Sequence, residues 1–91
     1  MFPSHDQAGE RLKKKGVKSG VPDCLIFEPC GNIFNGLAIE LKAGKNKLSD
    51  NQKEWRDNLM NLDWVFKTCR SLQEVKEEVQ YYMETAKGLN Q

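Results

Sequence analysis

Little in this 91-residue sequence suits disulfide or zinc chemistry. It has three cysteines, Cys24, Cys30 and Cys69, and a single histidine, His5. No pair of cysteines has C-x-x-C spacing, two of the three fall in apolar runs that read as strands, and His5 has no Cys or His at ligand spacing. Buried free thiols are therefore expected, with His5 at the surface. Long apolar runs are also missing: no window nears the roughly 20 residues that span a bilayer, so no membrane association is expected. The opening residues, Met1-Phe2-Pro3-Ser4, lack the basic-then-apolar order of a secretory signal, and an intracellular, cytoplasmic location is expected. No internal repeat or low-complexity tract is visible, and 91 residues make one domain at most. A domain of that size buries a limited core, for which dimerisation is a common remedy.

Neither sign of charge dominates, since the formal net charge is +1. The total hides an asymmetry: residues 1–56 hold ten Lys and Arg against seven Asp and Glu, and residues 57–91 hold four against six. The basic residues crowd into two short segments, one with Arg11, Lys13, Lys14, Lys15 and Lys18, the other with Lys42, Lys45 and Lys47. Such blocks are commonly solvated faces. Two of them flanking one acidic position suit a phosphate backbone, which is held mainly by Lys and Arg.

Taken in order, residues 1–6 are polar and irregular, and Gln7 to Lys15 has helix formers but a thin apolar stripe, closed by Gly16. Gly16 to Pro22 carries two further marks of a constrained loop, Gly20 and Pro22, and such a loop lets backbone approach a ligand. Asp23 to Phe27 reads as a strand whose near-continuous apolar run predicts burial on both faces, with Pro22 at its start. Glu28 to Asn35 has strong turn chemistry, so Gly36 to Lys42 is expected to return as the second strand of an antiparallel hairpin. A basic loop over 43–48 follows. Ser49-Asp50-Asn51-Gln52 has the pattern of a capping box and opens a helix whose buried stripe is predicted as Trp55, Leu59 and Leu62. Trp64 to Cys69 is a third strand, which makes a parallel βαβ unit with the second. A second capping-box pattern, Ser71 to Glu74, opens a last helix with Leu72, Val75, Val79, Tyr82 and Met83 on one face. The apolar periodicity then fades and Gly88 appears, so a frayed tail is expected over 84–91 and a core over about 10–83. The fold class is thus α/β, a small mixed sheet flanked by helices.

Chemistry concentrates at one end of that sheet. Alternation along the second strand puts Leu37, Ile39 and Leu41 on one face and Ala38, Glu40 and Lys42 on the other, with Glu40 and Lys42 roughly 6.5–7 Å apart. In an antiparallel hairpin the start of the first strand lies beside the end of the second, which brings Asp23 to Glu40 and Lys42. Two carboxylates held close either take up a proton or hold a cation between them. Carboxylates with water are the ligand set that magnesium and manganese prefer, and the Leu41 carbonyl offers a further oxygen. A lysine beside such a cation can orient or deprotonate the water that attacks a phosphodiester. The same residue types also fit a structural salt bridge between Lys42 and one acid.

The order Gly20-Val21-Pro22-Asp23, apolar strand, loop, Ile39-Glu40-Leu41-Lys42 resembles the PD-(D/E)xK nuclease signature. The fuller run from Gly16 to Asp23 and on through Ser49-x-x-Gln52-x-x-Trp55 resembles the VRR-NUC (virus-type replication-repair nuclease) domain in its stand-alone, phage-type form. The resemblance spans roughly Glu10 to Met83. It implies a restriction-endonuclease-like core and magnesium- or manganese-dependent DNA cleavage, in the host cell if the protein is viral. It also implies Asp23, Glu40 and the Leu41 carbonyl as metal ligands, Lys42 as the catalytic lysine and Gln52 as the family glutamine near the site. Small members of this kind resemble Holliday-junction resolvases in forming homodimers, which implies branched or flapped DNA as substrate. Many members supply another acid from an upstream helix, for which Glu10 is the better placed of Asp6 and Glu10. Lys18 and Ser19 are expected near a phosphate beside the scissile bond, and Lys13, Lys14, Lys15, Lys45 and Lys47 along the DNA. Gln52 has a second reading, as the reciprocal partner in the capping box. Two other classes stay open on the residues alone: a non-catalytic DNA-binding module with a structural ion-pair cluster, and a protein-interaction domain, which would show no salt-dependent DNA affinity.

Overall fold

The computed structural model describes residues 19–91. The helix expected over 7–15 lies outside the described residues, as do Glu10, Lys13, Lys14, Lys15 and Lys18. Within them the order is β1 (Cys24–Ile26), β2 (Gly36–Leu41), α1 (Asp50–Asn61), β3 (Trp64–Cys69) and α2 (Leu72–Leu89). β2 is the middle strand of a three-stranded sheet. It runs antiparallel to β1, with Cys24 opposite Ile39, and parallel to β3, with Glu40 opposite Thr68. The small mixed α/β sheet expected from the sequence is therefore the one formed.

Being central, β2 is the buried strand. Leu37, Ala38 and Ile39 are each 1% exposed or less. Leu37 and Ile39 face a core of Cys30, Cys69, Tyr82 and Ala86, joined by half-buried Cys24, Ile26, Val65, Val75 and Val79. α2 packs against β2 and β3, and α1 packs against β3. Position 36, where β2 begins, has to be glycine, because a Cβ there would come within 2.5 Å of the Trp64 ring and 2.6 Å of the Ile26 carbonyl. Trp64 stands edge-on to Phe27, with ring centroids 5.3 Å apart.

Several expectations are corrected by where the strands fall in the sheet. β1 is shorter than the predicted strand and only half-buried, because it is an edge strand, and Phe27 lies beyond it and is exposed. Leu41 shares a face with Ile39 but is exposed, since β2 ends there. Leu62 is the C-cap of α1 and points to solvent, leaving Trp55 and Leu59 as the half-buried pair of that stripe. On α2, Leu72 and Met83 are exposed, and the inward stripe is Val75, Val79, Tyr82 and Ala86.

The expected frayed tail is a helix through Leu89, with Ala86 in the core. Polar contacts hold that end: the Asn90 side chain accepts from the Gly31 N–H at 2.7 Å and donates to the Pro29 carbonyl at 2.7 Å, and the Tyr82 hydroxyl donates to the Glu28 carbonyl at 2.7 Å. Hydropathy alone carries no signal for such side-chain caps. The three thiols are free, with Cys30 and Cys69 buried and Cys24 partly so. At the start of α2, Ser71 accepts from the Glu74 N–H, while Glu74 reaches back to the Arg70 N–H at 3.0 Å, one residue beyond a capping box.

Candidate active site

The C-terminal end of β2 gathers the residues singled out above. Continuing the β1–β2 register past Cys24 and Ile39 puts Pro22 opposite Leu41. Proline has no N–H to give, so the ladder cannot continue there. That leaves the Leu41 carbonyl without a ladder donor, while the Leu41 N–H donates to Asp23 Oδ2 at 2.8 Å, which fixes the aspartate beside the strand end. Glu40 lies one residue back and is 4% exposed. Its Oε1 accepts from Gln52 Nε2 at 2.8 Å, and its buried Oε2 has no hydrogen-bond partner among the described residues.

Gln52 closes the capping box expected of it and also reaches Glu40. Its Oε1 accepts from the Ser49 N–H at 2.8 Å, its own N–H donates to Ser49 Oγ at 3.2 Å, and its Nε2 is thereby turned toward Glu40. The capping box is thus also an orienting device. It sets the amide so that one carboxylate oxygen of Glu40 is engaged and the other is left over.

Burial raises the Glu40 carboxyl above its ordinary value of 4.5 and the neighbouring Asp23 carboxylate raises it further, while the positive charge of Lys42 and the Asp23 backbone N–H partly oppose them. An unpaired carboxylate held in low dielectric beside another is costly unless it is protonated or meets a cation. Lys42 is half-buried, two residues along the same side of the chain as Glu40, and its backbone N–H continues the pairing with the Cys69 carbonyl at 2.9 Å.

The loop that carries Asp23 is docked onto α1. Ser19 Oγ accepts from Asn51 Nδ2 at 3.0 Å. Gly20 has φ +98°, and a Cβ there would lie 3.0 Å from the Gln52 nitrogen and 3.1 Å from the Asn51 carbonyl carbon. Both the backbone conformation and the space demand glycine. Gly20→Ala is expected to cost about 1–3 kcal/mol of stability, read by urea denaturation, and to displace Asp23 from Glu40.

Ser19, expected at a phosphate, is therefore engaged by Asn51, and Lys45 and Lys47 are exposed on the loop after β2. Sequence reasoning missed Asn51 and Arg70. Asn51 is one of the two positions that the Ser49-to-Gln52 box leaves open, and Arg70 comes beside Lys42 only through the β2–β3 register, so neither shows in a linear pattern. Among the described residues no group of three His, Cys, Asp or Glu is placed to hold a metal. A cation at this end would rest on Asp23, Glu40 and backbone oxygen. The buried, partnerless Glu40 Oε2 beside a second carboxylate fits that demand. Grooves along α2, one lined by Glu28, Met83 and Lys87 and another by Phe34, Val65 and Tyr81, contain none of these residues.

The family model that the chain matches is that of a nuclease-type domain. Residues 3–73 match the family model of the VRR-NUC domain, and the chain belongs to that family. A solved structure described as a VRR_NUC domain protein superposes with a TM-score of 0.71 at 28% identity, over 86% of this chain and 64% of that one. This chain thus corresponds to less than two thirds of the length of that relative. No curated protein matches it.

Proposed function

We propose that this chain is a divalent-metal-dependent DNA endonuclease that hydrolyses phosphodiester bonds, selective for Holliday-junction-like or flapped DNA and acting as a homodimer. The observation that carries the reading is the buried Glu40 Oε2, without a partner and beside the Asp23 carboxylate. Asp23, Glu40 and the Leu41 carbonyl would hold Mg²⁺ or Mn²⁺. Leu41 suits the part because Pro22, opposite it, has no N–H to occupy its carbonyl. The ion supplies charge neutralisation at the scissile phosphate and the departing oxygen. Lys42, at the mouth of the same site, orients the attacking water through its ammonium group, and the proton that the water loses passes to solvent. Gln52 holds Glu40 in place, and exposed Lys45 and Lys47 offer cations to the flanking backbone.

Support for the dimer is the amount of apolar surface on so small a domain: Tyr81 and Phe34 line one groove while remaining exposed, and Ile33 and Leu89 are exposed as well. Single-stranded, duplex, flap and four-way DNA, each with magnesium, manganese or chelator, test the reading. Cleavage of the branched substrates only with metal is expected. DNA binding without cleavage in either ion would overturn the enzyme assignment and leave a binding module.

A further inference from the structure

We propose that Arg70, which no motif of the site includes, is a positioning residue for nucleic acid: its guanidinium pins the basic loop over 43–48 at the mouth of the site. The proposal rests on the DNA-processing reading for its purpose, but not for its geometry. The loop joins Lys42 at the end of β2 to Ser49 at the cap of α1, and residues 43–47 are all exposed. Within it there is one turn, closed by Asn46 N–H to the Ala43 carbonyl at 3.0 Å, with Gly44 at φ +53° and open space where a Cβ would stand. A segment so lightly held would have to be ordered at the expense of DNA binding.

Arg70 supplies an outside restraint. Its Nη1 donates to the carbonyls of Gly44, at 3.4 Å, and Asn46, so one guanidinium nitrogen holds both sides of Lys45. The arginine is itself anchored, since its N–H donates to Glu74 Oε2 at 3.0 Å in the first turn of α2. The pairing of Leu41 with Cys69, and of the Lys42 N–H with the Cys69 carbonyl, sets Arg70 beside Lys42. The pinned loop therefore holds Lys45 and Lys47 at the strand ends that carry Glu40 and Lys42. A guanidinium suits this task better than an ammonium, because it is always charged and presents its donors in a fixed plane.

Wild type, Arg70→Ala and Arg70→Lys are compared by amide exchange of residue 46, by DNA affinity over a range of salt, and by steady-state cleavage. Arg70→Ala is expected to speed exchange at residue 46 while leaving the β2 amides protected. It should weaken DNA binding and raise KM by about tenfold, with kcat and the salt slope unchanged, and Arg70→Lys should recover part of the loss. A salt slope lower by about one, with exchange at residue 46 unaltered, would mean that Arg70 contacts phosphate directly and would overturn the proposal. Exchange is read without DNA or metal. Unaltered exchange in Arg70→Ala therefore sinks the pinning even in an active nuclease, whereas altered exchange in a protein that cuts nothing sinks the nuclease reading alone.

Discussion

Lys42→Ala is expected to lower the rate of DNA cleavage by about 10²–10⁴-fold while leaving DNA binding in place. The lysine side chain stands beside Glu40, and its charge acts on that carboxylate. What β2 needs from this residue for its fold is its backbone N–H, bonded to the Cys69 carbonyl, and alanine keeps it. The loss should therefore fall on kcat, with unchanged affinity for branched DNA and only a small fall in melting temperature, because the Lys42 charge offsets part of the cost of the buried Glu40 carboxylate. If Lys42 served only as a structural partner of one acid, the variant would lose stability and cut at a rate close to that of wild type. Single-turnover cleavage with saturating protein, alongside a melt, separates the two outcomes.

Glu40→Gln is expected to abolish cleavage and at the same time to stabilise the metal-free domain at neutral pH. Gln52 can still donate to the amide oxygen of the new side chain, so the orienting contact survives while the buried charge is removed. In the wild type the carboxyl is raised above 4.5 by burial and by Asp23. A raised folded value means that the contribution of Glu40 to stability is fully present below pH 4.5 and is lost as pH climbs through the folded value. The metal-free wild type should accordingly lose stability across that window, and Glu40→Gln should be insensitive to it. At pH 7 the variant should be the more stable by about 1–3 kcal/mol. Magnesium or manganese should then raise the melting temperature of the wild type and leave that of Glu40→Gln unmoved. Melts from pH 4 to 8 with chelator and with each metal provide the check.

These expectations depend on a site that was legible in part from sequence. The convergence of Asp23, Glu40 and Lys42 followed from strand alternation and hairpin topology alone, because an antiparallel pair sets the start of its first strand beside the end of its second whatever the length of the connection. Gln52 was legible twice, as a capping residue and as a family position, and the structure explains why the two coincide: one end of its amide caps α1 and the other engages Glu40. What linear patterns left out depends on neighbours. Phe27, Leu62 and Leu72 have the apolar character of core residues yet are exposed, because β1 is an edge strand, α1 ends before Leu62, and α2 turns its Val75–Val79–Tyr82–Ala86 stripe inward. The tail over 84–91 lacks apolar periodicity but is held by Asn90, whose partners Gly31 and Pro29 lie some sixty residues earlier. Arg70 and Asn51 act through main-chain and hydroxyl partners that only the folded register supplies.

Manganese titrated into the DNA-free protein and followed by electron paramagnetic resonance tests most directly whether residues 23 and 40 share a cation. Wild type should immobilise the ion, and both Asp23→Asn and Glu40→Gln should leave it free in solution, although asparagine can still accept the Leu41 N–H and keep the strand end in place. Retention of wild-type manganese affinity by both variants would contradict the shared site.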